Sequence, residues 1–325
     1  MKLAARLGGA QSAAFGVLTN VFGAIWLANA AFQAMAWLAV PAAKANFIHA
    51  LAKPASKVPE AVRPLLLAAV HGTEAAGPRI VAGCMVVIAA LLGVALLTRR
   101  HVGLAARVGI VYSAICWVFL NGFGFPYSGG QTDPGVFVAY AIAFLFVLSV
   151  AAAIEGRSPA ASESSDRLWH AARISFGLLW LFDAALKWLP AFLFHFTSQI
   201  TSVIPGQPAW IAAWLGFVAT VIRAVGALPV AILVGLSETA IAVALLSGRW
   251  LRLAIPFGIA YSLAVWSTAE AFGGPYSAAG TGVRGNVLGN VLMYLIPFLF
   301  LWAGVRRQAV SYGRLRPDRT DRAHG

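Results

Sequence analysis

A chain of 325 residues with 60% hydrophobic and only 11% charged residues, and a mean hydropathy of +0.79, lies outside the composition of soluble globular domains. It reads as a polytopic membrane protein. The net charge of +13 does not point to nucleic acid, because the basic residues form short clusters between apolar runs, as expected of cytoplasmic loops.

Taken in order, Lys2 and Arg6 precede an apolar run from Ser12 to Val40 that is too long for a signal peptide and reads as a retained membrane segment. Seven further apolar stretches follow, giving eight in all, near 13–40, 78–98, 103–121, 135–154, 168–190, 226–247, 251–271 and 286–305. Each can span the roughly 30 Å hydrocarbon core, which takes about 20 helical residues. If every stretch crosses once, Lys2 and Arg6, Arg99, Arg100 and Arg107, Arg157 and Arg167, Arg249 and Arg252, and Arg306 onward share one side. That side is cytoplasmic by the positive-inside rule, and both termini lie there.

The chain is internally duplicated. Residues 109–132 match 258–281 at 11 of 24 positions, at an offset of 149. Trp26, Asn29 and Gln33 align at an offset of 154 with Trp180, Asp183 and Lys187, and Tyr140 with Tyr294. The expected architecture is an all-α membrane protein of eight transmembrane helices, arranged as two four-helix units at 1–156 and 168–306. Four crossings per unit give the copies one orientation, so the repeats are parallel and related by an axis along the membrane normal. The linker 157–167 reads as small, polar and flexible, and 307–325 as a basic cytoplasmic tail. Between helices 1 and 2, and again between 5 and 6, about 35 residues are expected to form interfacial helices or a cap. Pro190–Arg223 is the more aromatic of these two covers and Pro41–Gly77 the more basic.

Charged residues inside membrane helices cost about 2.5–3.5 kcal/mol each at mid-helix, which makes them functional candidates. The second unit holds Asp183, Lys187, Glu238 and Glu270 where the first has Asn29, Gln33, Ala89 and Asn121. Asp183 and Lys187, four apart, share a helical face and can either neutralise each other or face a ligand. Glu238 has no charged neighbour on its own helix, so it is either a neutral acid bonded across helices or a proton carrier. The Gly273-Gly274-Pro275-Tyr276-Ser277 run ends a helix whatever else it does, since glycine permits positive φ and proline cannot continue a helix. Backbone amides of that turn can satisfy Glu270. Either the run is a structural turn alone, or Tyr276, Glu270 and Asp183 would converge on the outer side of the second unit, with Trp266 and Tyr276 lining the site.

Cys84 and Cys116 lie in apolar segments without metal or redox spacing, and the six histidines show no paired ligand spacing. No metal site is therefore expected. No phosphate-binding loop, nucleotide fingerprint or catalytic serine motif is present.

Arg173-x3-Gly177-Leu-Leu-Trp180-Leu-Phe-Asp183-Ala-Ala-Leu-Lys187, then Gly206-Gln207-Pro208, Glu238 ahead of Gly248-Arg249, and Trp266-x3-Glu270-x-Phe-Gly273-Gly274, resemble the DoxX and DoxD-like bacterial membrane proteins. The resemblance covers 168–305, with a fainter version over 13–154. It implies a four-helix membrane unit in the bacterial plasma membrane, and one branch of the family passes electrons to quinone. The expectation is a membrane component that binds a quinone or similar amphiphile in support of a redox or respiratory process, with no covalent cofactor. Asp183, Lys187, Glu238, Glu270, Trp266 and Tyr276 would form its ligand site. Two other readings stay open: a proton-coupled transporter of a small solute, and a scaffold anchoring a periplasmic partner.

Overall fold

Long apolar runs bounded by glycine, proline and arginine turns dictate the architecture, because in lipid a helix satisfies all of its own backbone groups. The computed structural model describes residues 9–39, 42–124, 134–155, 159–273 and 289–313. Thirteen α-helices and no strand occur among them.

Among the described residues, six helical stretches are long and apolar enough to cross a membrane: Ser12–Ala39, Pro78–Thr98, Val102–Gly124, Val136–Ile154, Ala227–Ser247 and Leu251–Thr268. They correspond to α1 (Gly9–Ala34) with its π-helical extension Met35–Ala39, α4 (Pro78–Thr98), α5 (Val102–Asn121), α6 (Val136–Glu155), α11 (Ala227–Ser247) and α12 (Leu251–Thr268). Sequence reading counts two more. One is α7 (Pro159–Lys187), long enough but diluted by Asp166, Arg167, Arg173, Asp183 and Lys187. The other is α13 (Leu295–Gly313), whose described apolar stretch, with the 3₁₀ turn Val291–Tyr294 before it, is a shorter one, Val291–Val305.

The segment 157–167, expected to be a flexible linker, is helical from Pro159 onward as the first part of α7. Ser165 is buried and its hydroxyl donates to the Ser149 carbonyl of α6 at 2.8 Å. Small polar residues suit a loop, but they equally suit the close approach of two helices.

Equivalent positions in the two halves do the same structural work. α1 packs along α4, and α7 along α11. Gly77 (φ 95°) and Gly226 (φ 104°) make the bend into α4 and α11, a backbone region that excludes a Cβ-bearing residue at low cost. The rings of Phe22 and Phe144 lie 4.8 Å apart, and those of Phe176 and Phe298 lie 4.7 Å apart. Each of those pairs leaves room for a glycine on the neighbouring helix: a Cβ on Gly109 would strike Phe144, and one on Gly258 would strike Phe298. Phe123 and Phe272, 149 apart, both sit in the left-handed region with φ of 59° and 61°, a conformation uncommon outside glycine.

The halves meet through α1 with α13 and α6 with α7. At the centre four aromatic rings interlock. Phe15 contacts Trp169 and Phe300, both at 6.0 Å, and Phe146 contacts the same two at 4.9 and 5.9 Å. Phe15 is the twin of Trp169 and Phe146 the twin of Phe300 at the offset of 154, so the quartet lies about a pseudo-two-fold axis.

Helices also fill the expected covers. In the first half these are α2 (Ala43–Ala55) and α3 (Arg63–Ala76). In the second they are α8 (Pro190–Leu193), α9 (Phe196–Thr201) and α10 (Ala209–Val225).

Candidate functional site

At the end of the second half remote from the Gly248–Trp250 turn, α7, α8, α9, α11, α12 and the turn before α13 enclose a cavity of about 180 Å³. Asp183, Lys187, Glu238 and Glu270, from three different elements, all line it. The convergence follows from the fold. α7 presents Asp183 and Lys187 one turn apart near its C-terminus, α11 runs beside it carrying Glu238, and Glu270 follows the last turn of α12.

Lys187 reaches across to α11. Its Nζ lies 3.3 Å from Glu238 Oε2, with both side chains buried. Glu238 therefore has a cross-helix partner, which its own helix could not supply. Its other oxygen, Oε1, accepts a 2.7 Å hydrogen bond from the Tyr261 hydroxyl of α12. The Tyr294 hydroxyl donates to Asp183 Oδ2 at 2.9 Å, and the Lys187 ammonium stands 5.3 Å from the centre of the Phe192 ring. Charges this deep are retained only when paired and hydrogen-bonded. The result ties α7 to α11, α11 to α12 and α7 to the start of α13.

Glu270 is held differently. Its carboxylate accepts the backbone N–H of Asn290 at 2.9 Å and that of Val291 at 3.1 Å. These amides open the 3₁₀ turn that leads into α13, where donors without intrahelical partners accumulate. Glu270 thus lines the cavity while anchoring a helix start. Of the turn expected to satisfy it, Gly273–Ser277, only Gly273 is among the described residues, and Tyr276 lies outside them.

Trp266 departs from expectation. It is not among the residues lining the cavity, although its neighbours Val265, Thr268 and Ala269 are. Its ring packs edge-on against Phe272 at 5.2 Å, just as its twin Trp117 packs against Phe123 at 5.4 Å. A residue next to a lining position points about 100° away around the helix, and here it supports the left-handed turn.

Tyr261 and Tyr294 contribute to the site and were not singled out from sequence. Both have twins, Tyr112 and Tyr140, at offsets of 149 and 154. Trp180 forms a wall, with its ring 5.8 Å from Tyr261 and 5.4 Å from Tyr294. Its buried Nε1 makes no hydrogen bond among the described residues, and neither does that of its twin Trp26, which marks the indole as part of the shared scaffold. Arg173 lies outside the cavity, where its guanidinium donates to the Leu245 and Leu246 carbonyls and closes the end of α11.

Among the described residues no group of three or more histidine, cysteine or acidic side chains is placed to hold a metal ion. Comparison with protein-family models, curated proteins and solved structures finds no match. Fold and site together define an all-helical, multi-pass integral membrane protein whose second half carries a buried charged cavity.

Proposed function

We propose that the cavity binds the head of a quinone or a similar amphiphilic small molecule, in support of a redox or respiratory process in the bacterial plasma membrane. The observation that carries this reading is the gathering of Asp183, Glu238 and Lys187 with two tyrosine hydroxyls inside one aromatic-walled cavity. A flat ring stacks on such walls. Its oxygens find a cationic donor in Lys187 and, once protonated, acceptors in the carboxylates. Carboxylates hydrogen-bonded to phenols are also suited to exchanging protons with a bound carrier.

The same reading takes the chain as eight crossings in two parallel four-helix units with both termini cytoplasmic. α7 and α13 are its two polar or short crossings. In support, both pack lengthwise within the bundle rather than over its surface, which is how charged membrane helices avoid lipid.

The test is binding of a short-tailed quinone to the full chain in nanodiscs, followed by quenching of tryptophan fluorescence. Asp183→Asn and Glu238→Gln are expected to weaken binding about tenfold or more, the loss of roughly one charge-assisted contact. Absence of saturable quenching by benzoquinone and naphthoquinone heads alike sinks the proposal.

The Lys187–Glu238 pair favours a second reading, a proton-coupled transporter of a small solute, because a buried ion pair can be opened and closed by one proton. Solute uptake into proteoliposomes that collapses in Glu238→Gln, without quinone binding, decides for that reading.

A further inference from the structure

The cavity lies beneath two layers of helix. Phe192, Phe196 and Ile200 of α8 and α9 form its roof. The same three side chains pack outward into one apolar cluster with Ile211, Leu215 and Ile222, the inner face of α10. The outer face of α10 is apolar as well. Trp210, Trp214, Phe217, Val221 and Val225 recur at helical spacing and are all 38–62% exposed. Arg223 is the one charged residue of this 17-residue helix, and it stands in the last turn.

A helix that is apolar on both faces is not satisfied by water over one of them. Its outer stripe also has a continuation. Beyond the bend at Gly226, exposure passes directly to Leu228, Ile232, Leu233 and Leu236, the outward side of the membrane span Ala227–Ser247. In the first half this surface is smaller: α3 exposes Leu65 and Leu67, and where the stripe carries Phe217, Val221 and Val225 it has Ala68, Gly72 and Ala76. Its α3 turns His71 and Glu74 outward as an exposed pair at 3.4 Å, and its α2 exposes Lys44, His49 and Lys53.

We infer that α10 is seated in the acyl-chain margin of the bilayer as a lipid-covered outer lid over the charged cavity, whereas the α2–α3 cover faces water. The occupant of the outer face is lipid. Tryptophan and phenylalanine on the stripe and a terminal arginine that can reach the headgroups match an in-plane membrane helix about 25 Å long. On the reading proposed above, the cavity then receives its ligand from the bilayer and not from water. That route rests on the reading, but the seat of α10 does not.

The experiment places a nitroxide at Phe217→Cys on α10 or at His71→Cys on α3, in the full chain with Cys84→Ala and Cys116→Ala, in nanodiscs. Collisions with oxygen, which concentrates in lipid, are compared with collisions with a water-soluble nickel chelate. The expected oxygen-to-nickel accessibility ratio is several-fold higher at Phe217 than at His71. Equal ratios overturn the proposal by putting α10 in water. A nitroxide immobilised and shielded from both quenchers overturns it by putting α10 against another protein chain. Should Phe217→Cys fail to fold, Val221→Cys reads the same face. No ligand enters the measurement, so its failure is separate from failure of quinone binding.

Discussion

The two halves of the chain share one scaffold and differ in a handful of side chains. The rings of Trp26 and Tyr112 lie 5.7 Å apart in the first half, and those of Trp180 and Tyr261 lie 5.8 Å apart in the second. Around this common frame, Asn29, Gln33 and Ala89 give way to Asp183, Lys187 and Glu238. Met85, Phe119 and Leu120, which pack the first half against Trp37, Phe47 and Leu51 of its own extension and cover, give way to Val234, Thr268 and Ala269 at the cavity wall. The tyrosine and tryptophan rings are therefore common to both halves. Chemistry enters where bulky apolar groups shrink and three buried ionisable groups arrive together, Lys187 paired with Glu238 and Asp183 bonded to Tyr294, because none of the three is tolerable without a partner at that depth.

The largest break in the comparison should come from Lys187. Lys187→Met removes the counter-charge of a buried Glu238 and is expected to cost about 3–5 kcal/mol. Gln33→Met, at the equivalent place, removes a neutral amide and should cost about 1 kcal/mol. Thermal unfolding in nanodiscs measures both, and equal losses would mean that the ion pair is not what holds the second half together. The scaffold itself should respond symmetrically. Gly109→Ala and Gly258→Ala each drive a methyl into a phenylalanine ring, with an expected loss of about 1–3 kcal/mol apiece. A clear inequality in the same assay would show that the two frames are not mechanically alike.

The sequence made visible whatever depends on local pattern. Long apolar runs located the six helices long and apolar enough to cross a membrane, the duplication paired helices of the two halves, and charges inside apolar helices singled out Asp183, Lys187, Glu238 and Glu270, all of which line one cavity. What it could not show depends on how helices are rotated against each other. The partnership of Lys187 with Glu238 is set by the packing of α7 on α11, whereas spacing alone offers Lys187 only Asp183. Tyr261 and Tyr294 are ordinary residues for a membrane helix, and only their twins mark them. Trp266 looked like part of a site because it lies close in sequence to Glu270, but its ring belongs to the turn. The serines of 157–167 suggested a linker because the neighbouring helix that accepts the Ser165 hydroxyl is invisible to composition.

Tyrosine pairs sharpen the contrast further. Tyr294 donates to the carboxylate of Asp183, while Tyr140 receives the amide of Asn29 at 2.5 Å. Tyr294→Phe should cost about 1.5–3 kcal/mol, the range for a hydrogen bond to a charged group, and Tyr140→Phe about 0.5–1.5 kcal/mol. The difference, about 1 kcal/mol, should disappear in an Asp183→Asn background, where both hydroxyls face an amide. A double-mutant cycle on unfolding measures it, and a difference that persists would mean that Tyr294 is held by something other than the charge.

Glu270 should give the smallest effect, and it decides where the site ends. Its carboxylate serves two backbone amides at a helix start, and its twin Asn121 lies against Gly135 as Glu270 lies against Gly289. A polar side chain at this place is thus common to both halves, and the carboxylate is new: the atom of Asn121 nearest Gly135 is its amide nitrogen, whereas that of Glu270 nearest Gly289 is a carboxylate oxygen. Glu270→Gln keeps an acceptor oxygen and loses only the attraction of an anion for the helix start, an expected loss of about 0.3–1 kcal/mol in unfolding. Ligand affinity should fall far less than in Glu238→Gln. If instead Glu270→Gln abolishes quinone binding as fully as Glu238→Gln does, the carboxylate acts on the ligand and the boundary between scaffold and site moves outward to include it.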